Sequence, residues 1–220
     1  YEIKNCHNAI LNATGQKPIG FRAPGYYLDQ DIINILSDLG YKYDSSVLPG
    51  YANFFMRFYM HRVGQLSKEK AFGRNRYLFV SRKPCMVHGT EKNSSLYEFP
   101  ISVLPLLRSP THSTFLFLLG RTYFHLTKIF YQVFPKNLVF LFHAIDFVNL
   151  PNSQEFSNFI IPFRWPFDER IRFIEEVLSF LKNLSGGSIQ TTESRLNTPL
   201  EIPPSKSFLL SHWLKPYLKK

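Results

Sequence analysis

The sequence predicts an α/β fold, and three features carry that expectation. Helix-type and strand-type apolar patterns alternate from Tyr1 to Asp44. The uninterrupted apolar run Leu138 to Phe142 has the composition of a buried parallel strand. The amphipathic stretch Phe167 to Leu184 is followed by Gly186-Gly187 and a short strand-like segment, Ser188 to Thr191. Such alternation with short connections implies parallel strands joined by right-handed crossovers.

Each element has its own local reason. In Glu2 to Thr14 the apolar residues Ile3, Cys6, Ile10 and Leu11 fall at helical spacing, and Gly15 and Pro18 stop the pattern. Ile19 to Arg22 reads as a short strand ending at Arg22. Asp29 to Leu39 reads as a second helix, with Ile32, Ile33, Ile35, Leu36 and Leu39 on its apolar side and Gly40 closing it. Tyr41 to Tyr43 is the next strand and ends at Asp44. Pro49 to Ser95 is irregular, aromatic and basic, and it is long for a loop. It reads as a substrate-binding insertion or as several short strands. Tyr97 to Val103 is expected at a sheet edge, because Pro100 has no N–H to donate. Ser113 to Phe134 is long and apolar, but Gly120, Arg121, His125 and Lys128 argue against a plain membrane span. An amphipathic helix is expected there, either facing the core or lying at a lipid interface with Arg121 and Lys128 near anionic headgroups. In Phe167 to Leu184, Asp168 is the expected N-cap, and Ile171, Ile174, Val177, Leu178 and Leu181 form the apolar face.

Composition narrows the function classes. The 220 residues are 45% hydrophobic and carry a formal net charge of +10, so the chain is globular and basic. An anionic partner or a solvated basic surface both fit that charge. The Lys and Arg residues are scattered and no nucleic-acid-binding signature is present, so no nucleic-acid partner is expected. Cys6 and Cys85 are expected to be free thiols.

Three polar residues each close an apolar strand pattern: Arg22, Asp44 and His143. Ligand sites in parallel α/β folds lie at the carboxyl ends of strands, so residues far apart in sequence can share one cleft there. Singly, each has a plainer explanation. Arg22 suits a turn, Asp44 a loop cap ahead of Ser45-Ser46, and His143 a hydrogen-bonded core. Together they offer complementary chemistry. A histidine tuned by a carboxylate is a good general acid near neutral pH. A fixed arginine holds a carboxylate ionised and oriented. Backbone N–H groups at a tight Pro24-Gly25-Tyr26 turn can face a developing oxyanion.

At these residues the sequence resembles the polysaccharide deacetylases of the NodB-homology type. "GFRAPGYY" looks like that family's Arg-x-Pro motif, "LGYKYDSSV" like its next strand with an aspartate, and "LVFLFHAIDF" like its late strand with the catalytic histidine. The closing helix and "GGSIQTTES" also look like the family's ending. The resemblance implies an incomplete (β/α) barrel of the NodB type over residues 1–196, with an irregular insertion at 49–95 and a Pro-rich basic tail at 197–220. It implies metal-dependent hydrolysis of N- or O-acetyl groups from a sugar, polysaccharide or lipid-linked glycan. His143 would protonate the leaving group, Asp44 would orient or tune it, and Arg22 would position an aspartate base. Pro24, Gly25 and Tyr26 would contact substrate, Tyr26 through its backbone. A divalent metal, zinc foremost, is implied as cofactor, an acetylated amino sugar as partner, and peripheral membrane contact through 113–134 as an accompaniment.

The family's Asp-Asp motif and its paired metal-binding histidines precede the Arg-x-Pro motif, and here only Tyr1 to Phe21 stand before Arg22. The seven histidines are His7, His61, His88, His112, His125, His143 and His212, and no two lie three or four positions apart. No metal ligand is therefore assigned within this chain. About five strands are expected, too few to close a barrel. The chain is accordingly expected to be the C-terminal part of a longer deacetylase, or a catalytically inactive remnant that binds glycan.

Overall fold

A computed structural model describes residues 1–51, 80–134, 138–158, 160–186 and 191–196. The insertion aromatics Phe54, Phe55, Phe58 and Tyr59, most of the expected closing strand at 188–191, and the 197–220 tail lie outside the described residues. The chain forms two compact units, one built on Tyr1–Pro100 and the other within Ile101–Gln190.

The first unit shows the expected α/β class. It holds α1 (Glu2–Thr14), β1 (Gly20–Phe21), α2 (Gln30–Asp38), β2 (Tyr43–Asp44), β3 (Cys85–His88) and β4 (Ser95–Glu98). The strand order is β1-β2-β4-β3. β1, β2 and β4 run parallel, and β3 pairs antiparallel with β4. α1 spans the residues its periodicity predicts, and Gly15 ends it at φ 70° with its N–H on the Leu11 carbonyl. α2 starts where Asp29 accepts the Ile32 N–H at 2.9 Å, a cap of about 1 kcal/mol. Gly40 follows at φ 82°.

Apolar residues from α2, the sheet and their connections meet in one cluster, Leu28, Ile33, Leu36, Tyr41, Val47, Cys85, Val87 and Leu96, with Ile3 of α1 packed against it. Each such large aliphatic side chain contributes about 1.5–3 kcal/mol through burial. Gly20 is required by its neighbour, since the Tyr43 ring fills the space a Cβ would take. His7 packs its ring against Tyr41 at 5.5 Å, a core contact. The two cysteines are free, with Cys6 exposed and Cys85 buried.

Two strand expectations are corrected in position. β4 covers residues 95–98, not 97–103, and lies inside the sheet. Its ladder stops at Glu98, two residues before Pro100, so the missing N–H falls beyond the pairing. The edge is taken instead by β3, whose hairpin with β4 is tied to α2. There Asn34 Oδ1 accepts the Thr90 and Glu91 N–H groups, and Asn34 Nδ2 donates to Thr90 Oγ1 at 2.8 Å.

The second unit packs α3 (Ser113–Val133) and α4 (Phe167–Leu184) around Leu116, Phe117, Phe124, Phe173, Ile174 and Val177. Trp165 stacks on Phe173 at 5.0 Å and donates from Nε1 to the Phe117 carbonyl at 3.0 Å. α4 begins after Pro166, which corrects the expected cap. Asp168 lies inside the first turn, exposed, where its charge favours the helix dipole.

The expected strand Leu138–Phe142 forms no ladder. Its backbone bonds go to isolated residues of two segments: Ser102 N–H donates to the Val139 carbonyl at 3.1 Å, Val139 N–H to Ser102 Oγ at 2.8 Å, and Ser113 N–H to the Leu141 carbonyl at 3.0 Å. Its side chains, Phe140 and Phe142 among them, lean on the helical core instead.

α3 is broken at Gly120, where φ is 73° and ψ is −166°. That conformation belongs almost solely to glycine, and open space surrounds the position. Gly120→Ala should therefore destabilise the chain by about 1–3 kcal/mol through backbone strain alone, measured as a urea midpoint shift. Among the described residues, no helix is long and apolar enough to cross a membrane.

Candidate functional site

β1 and β2 end side by side, and their last residues start a dense polar network. Arg22 follows β1, and Asp44 closes β2. Arg22 Nε donates to the Ser45 carbonyl at 2.8 Å, and Nη2 to Ser45 Oγ at 2.7 Å. Ser45 Oγ in turn donates to the Phe99 carbonyl at 2.7 Å, which fixes it as an acceptor for the arginine. Ser46 Oγ donates to Asp44 Oδ1 at 2.8 Å and accepts the Ala23 N–H at 2.7 Å. Ser46 N–H donates to Asp44 Oδ2 at 2.8 Å. Asp44, Ser46 and Glu98 are fully buried, while Arg22 keeps an exposed edge. The guanidinium is thus locked through Nε and Nη2 onto Ser45, just after β2, while the residue keeps contact with solvent.

Behind Asp44 stands Glu98, its register partner on β4. Glu98 Oε1 accepts the Val47 N–H at 3.0 Å. Burial pushes the Asp44 carboxyl up, against the hydrogen bonds of Glu98 and Ser46 and the charge of Arg22. Burial first, and then the Asp44 charge, push Glu98 well above the ordinary carboxyl range. Burial works against the Arg22 charge, and Asp44 and Glu98 support it.

Past Arg22 the chain makes a tight 3-10 turn, Pro24–Tyr26. Gly25 has φ 68° and Tyr26 has φ 58°. A left-handed tyrosine is uncommon and costs on the order of 1–3 kcal/mol, so the surrounding structure holds this turn in a strained form next to Arg22. Burial raises the Tyr26 phenol above its ordinary value, with Arg22 opposing.

His143 belongs to the second unit, where it precedes the 3-10 turn Ala144–Phe147. It is exposed, not a core histidine. Its N–H donates to Asp146 Oδ2 at 2.7 Å, and its ring meets that of buried His112 edge-on at 6.4 Å. Asp146 is fully buried and lies near buried Arg170, whose charge it supports.

Arg22 and Asp44 therefore share one network, with the Pro24–Tyr26 turn beside it. Sequence reasoning missed Glu98, His112 and Asp146. Glu98 had a faint signal, an acid inside the apolar stretch "LYEFPIS", and Asp146 another, an acid three residues after His143. Among the described residues, no group of three or more His, Cys, Asp or Glu is placed to hold a metal ion. These residues do not fit a metal centre, and no chemical step is routed through one.

No protein-family profile matches the chain. No solved structure matches it. A peptidoglycan deacetylase-like protein of Gibberella zeae is 40% identical over 45 residues, which is 20% of this chain and 13% of that protein. The similarity is local: it covers one fifth of the chain and a small part of a deacetylase-like protein.

Proposed function

We propose that the chain contributes one half of a site that hydrolyses acetyl groups from an acetylated amino sugar, within a polysaccharide or a lipid-linked glycan, as part of a longer polypeptide. The observation that carries this reading is the network at the β1 and β2 ends. It locks Arg22 onto Ser45 while the residue keeps contact with solvent, beside a strained turn. The local similarity to a deacetylase-like protein supports it.

In this reading residues 1–196 are the later part of a NodB-type barrel and 197–220 a tail. Arg22 orients a carboxylate base supplied from elsewhere in the polypeptide. Pro24 and Gly25 shape the acetyl pocket, and the Tyr26 backbone contacts the acetyl oxygen. His143 protonates the departing amine, and Asp44 holds the Arg22 end of the site in register. Zinc is the proposed cofactor, with ligands outside the described residues. No nucleic acid takes part.

Acetate release from an N-acetylglucosamine oligosaccharide with added zinc tests the reading in the polypeptide containing this chain. Release is expected, and His143→Ala should lower it by about 100-fold or more with zinc content unchanged. No release, or full turnover without His143, contradicts it.

The absence of a metal-binding group among the described residues favours a second reading, a glycan-binding module without turnover. Saturable binding of the oligosaccharide with no acetate release selects it.

Peripheral membrane contact through 113–134 is also proposed. Leu126, Ile129 and Val133 are exposed at 38%, 45% and 63% along one side of α3. The nearby cations have local partners: Arg121 pairs with Glu176 at 2.5 Å, and Lys128 sits over the Phe124 ring. Contact would thus be mainly apolar. Flotation with liposomes should persist at high salt, and failure to float removes this contact.

A further inference from the structure

Glu98 poses a problem of hydrogen-bond accounting. It is fully buried, and its Oε1 has the Val47 N–H. Its Oε2 has no donor, although it is also buried. Across the ladder stands Asp44, equally buried, with both oxygens already accepting from Ser46. Two ionised carboxylates in register, sealed from water, would repel strongly and leave Oε2 unsatisfied, a cost of about 1–3 kcal/mol or more. Among the described residues, the cation acting on this pair is Arg22, which is bound to Ser45 and partly exposed. From β3, the facing group is Cys85, opposite Glu98 in register. Its thiol is pushed up to about 12 by burial and then by the Glu98 charge, so it brings neither charge nor relief. Tyr26 and Tyr43 are the other described groups that act on Arg22, and burial raises the Tyr26 phenol above its ordinary value.

We infer that Glu98 is the positioning residue of this network: it keeps a proton at neutral pH and donates it from Oε2 to Asp44. One proton then satisfies the orphaned oxygen and removes the like-charge repulsion. It also leaves Asp44 as the single carboxylate opposite Arg22, so the Arg22–Asp44–Glu98 set is neutral overall. Asp44 gains a third donor and is held at the β2 end by its neighbour on β4. The arrangement holds whichever reaction the chain serves.

The sign of the resulting pH dependence is fixed. Folded Glu98 titrates above its ordinary value of 4.5. Between those two values the native state binds more protons than the unfolded chain. Stability is therefore full below the ordinary value and falls as pH rises through the folded one. This is opposite to the effect of a salt-bridged carboxylate.

Infrared spectra of the full 220-residue chain in heavy water at neutral pH test the inference. A protonated-carboxyl band is expected, and Glu98→Gln should abolish it. The amide keeps a donor toward Asp44, so the fold should persist and the fall in stability with rising pH should flatten. Asp44→Asn should shift or remove the same band, because it changes the partner of the Glu98 proton. Asp146, the fully buried acid of the second unit among the described residues, should not respond. Absence of the band in the wild type overturns the inference, as does its survival in Glu98→Gln. If Glu98→Gln does not fold, an unmoved band in Asp44→Asn overturns it equally. None of these outcomes depends on deacetylase activity.

Discussion

Replacing Arg170 with alanine should destabilise the second unit by about 3–5 kcal/mol, a large fraction of a domain's usual margin. Arg170 is 1% exposed. Its Nη1 donates to the Pro162 carbonyl at 3.2 Å and its Nη2 to the Val148 carbonyl at 2.6 Å. Its guanidinium lies over the Phe163 and Phe167 rings. One side chain thus joins α4 to the turn Ile161–Arg164 and to the segment after His143. Alanine would leave the Val148 carbonyl without its donor and the Pro162 carbonyl with the Trp165 N–H alone, remove the aromatic contacts, and strand the buried Asp146 without its supporting charge. Lysine should recover only part of the loss, because a point charge cannot reach both carbonyls and stack on both rings. Urea unfolding followed by Trp165 fluorescence measures this. A loss under about 1 kcal/mol would show that the Arg170 contacts do not hold the unit together.

Asp44→Ala should cost the first unit about 2–4 kcal/mol. Its two oxygens are the acceptors for the Ser46 N–H and hydroxyl, and Ser46 also receives the Ala23 N–H. Removing Asp44 therefore loosens both strand ends at once. The partial exposure of Arg22 limits the damage, since water can solvate that charge. Asp44→Asn, which keeps an acceptor and the side-chain volume, should cost distinctly less. Equal losses for both variants would mean that the charge and second oxygen of the carboxylate, not side-chain volume or a single acceptor, set the contribution of Asp44. Chemical denaturation of the two proteins at one pH separates the cases.

The elements that rest on local pattern were legible in the sequence. α1 and α4 follow apolar periodicity, and α2 is framed by Asp29 and Gly40, so their bounds match closely. Arg22 and Asp44 could be placed at adjacent strand ends because short apolar runs end there. What escaped depended on long-range pairing. Glu98 becomes a neighbour of Asp44 only through the strand order β1-β2-β4-β3, with β3 and β4 inserted after a long connection. His112 meets His143 only once the segments around α3 pack. Leu138–Phe142 has a strand's composition, but its backbone bonds go to Ser102 and Ser113 without forming a ladder. The apolar pattern of α3 passes through Gly120 without a sign of the break, because backbone angles do not show in hydropathy.

The most direct test of the proposed site is the zinc-supplemented acetate-release rate of Arg22→Lys against the wild type, in the polypeptide containing this chain. Lysine keeps the charge but loses the planar fork that grips Ser45 and that, in the proposed site, would orient a carboxylate. The expected result is a fall of about 100-fold or more in kcat, with zinc content and the unfolding midpoint nearly unchanged. Turnover within about threefold of the wild type would contradict the assignment of Arg22 and its strand-end network to the site.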